Sequence, residues 1–139
     1  MRQFHHTLTI ETHGKGLVSF THEVLDWVSS TGIETGLLTL WCQHTSASLT
    51  VQENASPDVL IDIARYFETI VPEAAGRYMH DDEGPDDMPA HLRTMLTGVQ
   101  LTIPVADGRP MLGTWQGIYL FEHRRRPHWR RVVLHLMGE

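Results

Sequence analysis

Two histidines flank an acidic stretch, and this is the part of the chain whose residue types are best suited to chemistry. His80 and His91 bracket a segment, Asp81 to Ala90, that is crowded with carboxylates, glycine and proline. A loop this acidic repels itself unless a cation or an ordered partner holds it. We therefore interpret the segment as one wall of a site into which both imidazoles point, with a metal ion as the group that they hold.

A third histidine joins these two as a candidate metal ligand. His44 lies where an apolar strand pattern breaks into the small, polar run Thr45-Ser46-Ala47-Ser48. Three neutral imidazoles with an open fourth position suit zinc or a similar divalent ion. The ten residues between His80 and His91 match no established short motif, so the alternative is that these are surface or helix-cap histidines.

Two glutamates and a glutamine are the candidate catalytic groups. Glu53 follows a strand pattern, and Glu122 shares a strand face with Ile118 and Leu120. A carboxylate on an apolar face is costly unless it is paired or lies at an edge. One of the two is expected to act as a general base or an extra ligand, and the alternative is an ion pair with an arginine. Gln116 is either functional or bonded to the backbone.

Hydroxyl groups and a basic run are candidates for binding an anion. Thr45 and Ser46 offer hydroxyl and backbone N–H groups that can hold a phosphate, although the chain has neither a Walker loop nor a G-x-S-x-G elbow. Arg124 begins a run of three arginines, which is either a solvated turn or an anion clamp.

Length, charge and cysteine usage narrow the class of protein. A chain of 139 residues favours one domain over residues 1–139, and a net charge of −6 disfavours general nucleic-acid binding. The single cysteine, Cys42, excludes an internal disulfide bond and fits a reducing cytosol. No apolar run approaches the ~20 residues of a membrane span. We expect a cytoplasmic protein with no nucleic-acid or membrane partner.

Hydrophobic periodicity predicts an α+β fold. Apolar residues alternate with polar ones near the N-terminus, and Gly36–Cys42 is a continuous apolar strand pattern. The last third is all strand, including one long strand from Met111 to Arg124. This pattern indicates a mostly antiparallel mixed sheet or a sandwich with two to three helices packed on it.

Helix start and stop signals place three helices. A short one from His22 to Ser30 is expected to be capped by Thr21, and a second begins at Ser56-Pro57-Asp58 and ends before Pro72. The second is expected to pack across a sheet through an apolar stripe. A third runs from Pro89 to Thr97 and places His91 in its first turn.

Three ordered segments resemble the signatures of a known family, and the resemblance extends over essentially the whole chain. The segments are His44 to Val59, Glu83 to Leu92, and Leu112 to Arg124. They resemble the YjbQ family, long catalogued as an uncharacterised protein family. The segment after Arg124 departs from the family pattern, where a shorter acidic or glycine-containing turn is usual.

The resemblance implies a fold, an assembly and an activity. It implies a YjbQ-like fold, a homotrimer and a divalent metal, zinc with magnesium as the alternative. It also implies secondary thiamine-phosphate synthase activity, which joins a pyrimidine diphosphate to a thiazole phosphate. The residues it favours as metal ligands are His44, His80 and His91, and it strengthens the case for Glu53, Gln116 and Glu122 as catalytic residues. The residues that we expect to bind substrate are Thr45, Ser46, Asn54 and Arg124.

The first hypothesis is therefore a metal-dependent transferase that acts on a phosphorylated small molecule. Diphosphates usually pair with magnesium and carboxylates, whereas three imidazoles suit hydrolysis. A metal-dependent phosphoester hydrolase is thus the enzymatic alternative. A trimeric metal- or ligand-binding protein without catalysis is the other alternative.

Overall fold

Eight strands form two antiparallel sheets. The larger sheet has the strand order β1-β8-β3-β5-β6 and the smaller one β2-β7-β4, and every pairing is antiparallel. The strands are β1 (Arg2–Thr12), β2 (Gly16–Ser19), β3 (Gly36–Cys42), β4 (Ala47–Glu53), β5 (Gln100–Ala106), β6 (Arg109–Pro110), β7 (Gln116–Glu122) and β8 (His128–Gly138).

Three helices complete the computed structural model, which describes all 139 residues. They are α1 (Thr21–Thr31), α2 (Pro57–Ile70) and α3 (Asp87–Thr97). The predicted α+β class is confirmed, and the predicted helices and most of the strands agree with those observed to within a few residues. No helix has both the length and the apolar character needed to cross a membrane.

The core is built from the alternate residues of the central strands. Leu38 and Leu40 of β3 and Leu134 and Leu136 of β8 are fully buried and join one cluster of 17 buried apolar residues. Strand β7 is buried on both faces from Gly117 onwards. Because both faces of β7 are enclosed, a polar side chain at its end must find partners inside the protein.

Two local predictions were wrong. Thr21 does not cap α1, since its hydroxyl accepts the Ile118 N–H at 2.9 Å and Phe20 occupies the N-cap position. The strand expected from Met111 begins only at Gln116, because a turn closed by the Gln116 N–H to the Gly113 carbonyl, 3.0 Å apart, precedes it. By contrast, Asp107 and Gly108 form the tight turn of the β5–β6 hairpin, with φ angles of 51° and 73°.

Helix α2 lies on the smaller sheet without entering the core. None of its residues is buried, although Phe67 packs edge-on against Phe121 of β7 with ring centroids 5.3 Å apart. Charged contacts hold its C-terminal end: Lys15 lies 2.6 Å from the Glu68 carboxylate, and Arg93 lies 3.4 Å from it. The apolar stripe of α2 is therefore only half covered by the chain itself.

Candidate metal centre

Four metal-ligating side chains converge between the acidic loop and the first turn of α3. They are His80, Glu83, Asp87 and His91, and one ligand atom from each lies within 4.8 Å of the other three. The Nε2 atoms of His80 and His91 lie 2.6 Å and 3.1 Å from the same oxygen, Oδ2 of Asp87. Asp87 and His91 are one helical turn apart, so α3 holds both on one face.

The second ring nitrogen of His91 determines what its Nε2 can do. Nδ1 lies 3.0 Å from the Thr45 carbonyl oxygen, which can only accept, so Nδ1 carries a proton. In the neutral ring, Nε2 then presents a lone pair to the carboxylate of Asp87. Two lone pairs at this distance repel each other unless a proton or a metal cation lies between them, and a carbonyl-bound Nδ1–H is the usual support of a metal-ligating histidine.

His80 is surrounded by carboxylates. Its Nε2 lies 3.1 Å from Glu83 Oε2 and its Nδ1 lies 3.7 Å from Asp82 Oδ1. The hydrogen bond to Asp87, and then the negative charge of Asp87, Asp82 and Glu83, raise the pKa of His80. The site therefore has a negative potential that attracts a cation, whether a proton or a metal ion.

Arg124 orients the central carboxylate. Its Nη1 donates to Asp87 Oδ1 at 2.5 Å and its Nε donates to Asp86 Oδ2 at 3.0 Å. Burial raises the pKa of Asp87, but hydrogen bonding to His80 and the charge of Arg124 outweigh burial and lower it. The guanidinium predicted to bind substrate thus binds two carboxylates of the same chain and leaves Oδ2 of Asp87 facing the imidazoles.

The structure does not bring His44 into this cluster. Its Nε2 accepts the Arg131 backbone N–H at 2.7 Å, and its Nδ1 lies 3.4 Å from Arg130 Nη1. Burial and the charge of Arg130 lower the pKa of His44, which keeps the ring neutral. His44 and His91 nevertheless line one open cavity of about 760 Å³, together with Thr45, Trp41 and Met95.

Glu122 is an enclosed ion-pair partner. It is 0% exposed, receives a hydrogen bond from Thr12 Oγ1 at 2.6 Å and pairs with Arg130, whose Nε lies 2.8 Å from Oε1. Burial raises the pKa of Glu122, but the bonds from Arg130 and Thr12 outweigh burial and lower it. The structure thus contains the alternative considered for Glu122, an ion pair with an arginine. The Ser46 carbonyl accepts a hydrogen bond from the same arginine, 3.3 Å from Nη2.

The remaining predicted site residues lie at the opposite end of the smaller sheet. Glu53 pairs with Gln116 in the β4–β7 register, whereas Ala47 pairs with Glu122 at the other end. The six intervening steps correspond to about 20 Å at ~3.3 Å per residue. Asn54 adjoins Gln116 and donates to its carbonyl at 3.4 Å. Within one chain, Glu53, Asn54 and Gln116 are therefore remote from His80 and His91.

With the fold and the cluster described, the chain can be compared with known proteins. The family model for UPF0047 protein YjbQ-like chains matches residues 6–139. The chain belongs to the YjbQ family. It is 51% identical over 138 residues to the UPF0047 protein sll1880 of Synechocystis, covering 99% of this chain and 94% of that protein. It is 45% identical over 137 residues to the UPF0047 protein YjbQ of Salmonella typhimurium, covering 98% and 99%.

Solved structures support the YjbQ fold. A conserved hypothetical protein of Thermus thermophilus superposes with a TM-score of 0.84 at 35% identity, covering 94% of this chain and 98% of that one. A YbjQ-like protein of unknown function from Sulfolobus solfataricus superposes with a TM-score of 0.87 at 23% identity, covering 99% and 100%. The second likeness bears on the fold alone.

Sequence reasoning missed two of the four clustered residues in this YjbQ-family chain. Glu83 and Asp87 were seen as part of an acidic loop and not as partners of the histidines. The spacing of Asp87 and His91 on a predicted helix was the signal that would have identified one of them, because residues four apart share a face. Glu83 lies in an irregular loop, where spacing carries no such information.

A buried histidine was also missed. His123 is 1% exposed, its Nε2 lies 2.8 Å from Ser48 Oγ, and its Nδ1 has no hydrogen-bond partner. Burial, followed by the charge of Arg93, lowers the pKa of His123 to about 3. This ring is therefore neutral in the folded protein at any ordinary pH.

Proposed function

We propose that this YjbQ-family chain is a metal-dependent enzyme acting on a phosphorylated small molecule. His80, His91 and Asp87 would hold the divalent metal and leave its fourth position open, with Glu83 beside them. The observation that carries the proposal is the convergence of both Nε2 atoms on Asp87 Oδ2 while the Thr45 carbonyl fixes the proton of His91 on Nδ1.

The donor set favours zinc over magnesium. Two imidazoles and a carboxylate suit zinc, whereas magnesium prefers oxygen ligands in octahedral geometry. A divalent cation bound here supplies charge that polarises a phosphoryl oxygen or lowers the pKa of water. The donor set thus differs from the three imidazoles expected from sequence, since a carboxylate takes the place of His44.

The chain's own residues would orient the donors and bind the substrate. Arg124 fixes the rotamer of Asp87, and the Thr45 carbonyl fixes the ring of His91. The cavity of about 760 Å³ beside His91 has the volume of a small-molecule site. Glu83, with a 62% exposed side chain, is the carboxylate of the cluster best able to exchange protons with a bound substrate.

The reaction itself is a narrower proposal. Resemblance to the family supports secondary thiamine-phosphate synthase activity, in which a pyrimidine diphosphate and a thiazole phosphate are joined. The two-imidazole, one-carboxylate donor set supports phosphoester hydrolysis equally well. Assays of both reactions with the same protein preparation distinguish a transferase from a hydrolase.

Removal of one ligand tests the proposal. We expect untagged wild-type protein to bind about one zinc ion per chain, and His91→Ala to lower zinc affinity at least ~100-fold, because one of the donors is lost. His13→Ala is the matched control, since the His13 side chain is 76% exposed and lies outside the cluster. Elemental analysis and a competitive chelator titration measure the affinity.

Activity separates the enzyme from a binding protein. Turnover of thiamine precursors or of a phosphoester panel should be lost with chelator and in His91→Ala, and be kept in His13→Ala. Unchanged zinc affinity in His91→Ala would refute the site. If His91→Ala loses its zinc but the wild type turns over no phosphorylated compound, the enzyme hypothesis is refuted. That result would favour the non-catalytic alternative.

A further inference from the structure

A second cavity, of about 570 Å³, lies at the end of the smaller sheet remote from the metal cluster. It opens to solvent and is bordered by the start of α1, the residue after β4 and the segment that joins β6 to β7. Its lining residues are Ser19, Thr21, His22, Leu25, Asn54, Arg109, Pro110, Leu112, Gly113, Thr114, Gln116 and Tyr119. We propose that this cavity binds the phosphate group of a small organic phosphate through Arg109.

The charge of the lining is the first argument. The protein carries 17 acidic residues and a net charge of −6, yet none of the residues lining this cavity is acidic. Arg109 and His22 are the lining side chains that carry or can carry positive charge, and neither makes a hydrogen bond or ion pair within the chain. An unpaired guanidinium presents five N–H donors in a planar fork that matches a phosphate.

The hydrogen-bonding state of the lining is the second argument. The Gln116 side-chain oxygen accepts the Gly113 N–H at 2.8 Å, which turns its NH₂ group away from that bond. The Tyr119 hydroxyl donates to the Glu53 carbonyl at 2.7 Å. The Gln116 NH₂ group therefore stays without a partner in the chain, and it shares the cavity lining with the Thr114 hydroxyl and Arg109.

The backbone holds Arg109 in place. Arg109 pairs with Ala106 across the tight turn at Asp107 and Gly108, and Pro110, which follows it, is buried. The Gly108 N–H donates to the Glu34 carbonyl at 3.0 Å, which fixes the turn to the loop after α1. The short, doubly anchored hairpin fixes the backbone position from which the Arg109 side chain extends.

Acidic groups line a depression next to this cavity. Asp26, Glu34 and Asp107 line a neighbouring depression that Arg109 also borders, and the Arg109 guanidinium forms no ion pair with them. These groups weaken the local positive potential without neutralising the arginine. Leu25, Leu112 and Pro110 form an apolar wall, which suits the organic part of the ligand.

The inference extends the proposed function by assigning a place to a phosphate group that does not contact the metal in the same chain. The β4–β7 pairing separates Gln116, which lines this cavity, from Glu122, beside the cluster, by about 20 Å. The phosphate bound here thus anchors a ligand and is not the group that the metal of that chain would polarise.

Calorimetric titration with inorganic phosphate and with phenyl phosphate tests the inference. We expect phenyl phosphate to bind the wild type more tightly than inorganic phosphate because of the apolar wall, and Arg109→Gln to weaken both at least tenfold. Arg126→Gln is the matched control, since it removes the same charge from an exposed turn outside the cavity. Its affinities should equal those of the wild type.

A third variant separates this inference from the metal proposal. His91→Ala should keep the phosphate affinity of the wild type even when its zinc is lost. Equal affinities of wild type and Arg109→Gln, absence of phosphate binding by the wild type, or loss of phosphate binding in His91→Ala would each overturn the inference. Arg109→Gln with normal zinc content and weakened phosphate binding would support both proposals independently.

Discussion

The buried ring of His123 makes the stability of the fold depend on pH above the range in which carboxylates titrate. In the unfolded chain the ring has its ordinary pKa of 6.5, whereas burial lowers the pKa to about 3 in the folded protein. As the pH falls through 6.5, the unfolded state gains a proton that the folded state does not accept. The contribution of His123 to the free energy of unfolding is therefore at its full value above pH 6.5 and decreases as the pH falls to about 3.

The magnitude at an accessible pH follows from this difference. At about pH 5 the unfolded ring is 1.5 pH units below its pKa of 6.5, and the folded ring is still neutral. At about 1.4 kcal/mol per unit, the free energy of unfolding decreases by roughly 2 kcal/mol between pH 8 and pH 5. That is a substantial part of the 5–15 kcal/mol typical of a domain.

Urea unfolding at several pH values, at one protein concentration, measures this loss. His123→Gln removes the titrating group and keeps a side-chain amide that can reach Ser48, so its curve should lose roughly 2 kcal/mol less than the wild type over this range. His13→Gln, at an exposed position, should follow the wild type. Parallel pH curves for wild type and His123→Gln would refute the reasoning.

Two further predictions concern the buried ion pair and the assembly. Glu122→Gln leaves the buried guanidinium of Arg130 without its counter-charge and should lower the free energy of unfolding by about 3 kcal/mol. The control Glu11→Gln, at an exposed position, should change it by less than ~0.5 kcal/mol. A decrease below ~1 kcal/mol for Glu122→Gln would contradict this account. We also propose the homotrimer that the family resemblance implies, supported by the exposed Trp41 and Met95, which line the same cavity as His91. Light scattering should give about three times the chain mass of 15.9 kDa, and the mass of one chain would refute it.

Local patterns in the sequence were sufficient for most of the fold. Alternation of apolar and polar residues identified β1 and β5, and the Asp107-Gly108 pair identified a tight turn, because each depends on neighbouring residues only. The start of β7 was missed because apolar residues continue into Met111 and Leu112, which precede a turn that Gln116 closes through its backbone N–H and its side chain. No local pattern distinguishes that turn from a strand.

The candidate site was predictable only where its residues are close in sequence. His80 and His91 were selected because both flank one acidic segment, and the structure brings them together. The position of the His44 ring depends on its contacts with Arg130 and Arg131 of β8, which are more than 80 residues away in the chain. Long-range contacts of this kind depend on strand register, which single-sequence patterns do not specify.

Helix α2 is attached to the smaller sheet by few buried contacts, so we expect it to open locally. A helix with no residue in the core and with its end held by Lys15 and Arg93 can separate from the smaller sheet while both sheets remain paired. Salt weakens those charged contacts far more than it weakens the leucine-rich interior. We therefore expect the amide hydrogens of α2 to exchange with solvent faster than those of the buried central strands, and we expect ionic strength to change how often Phe121 beneath the helix is uncovered.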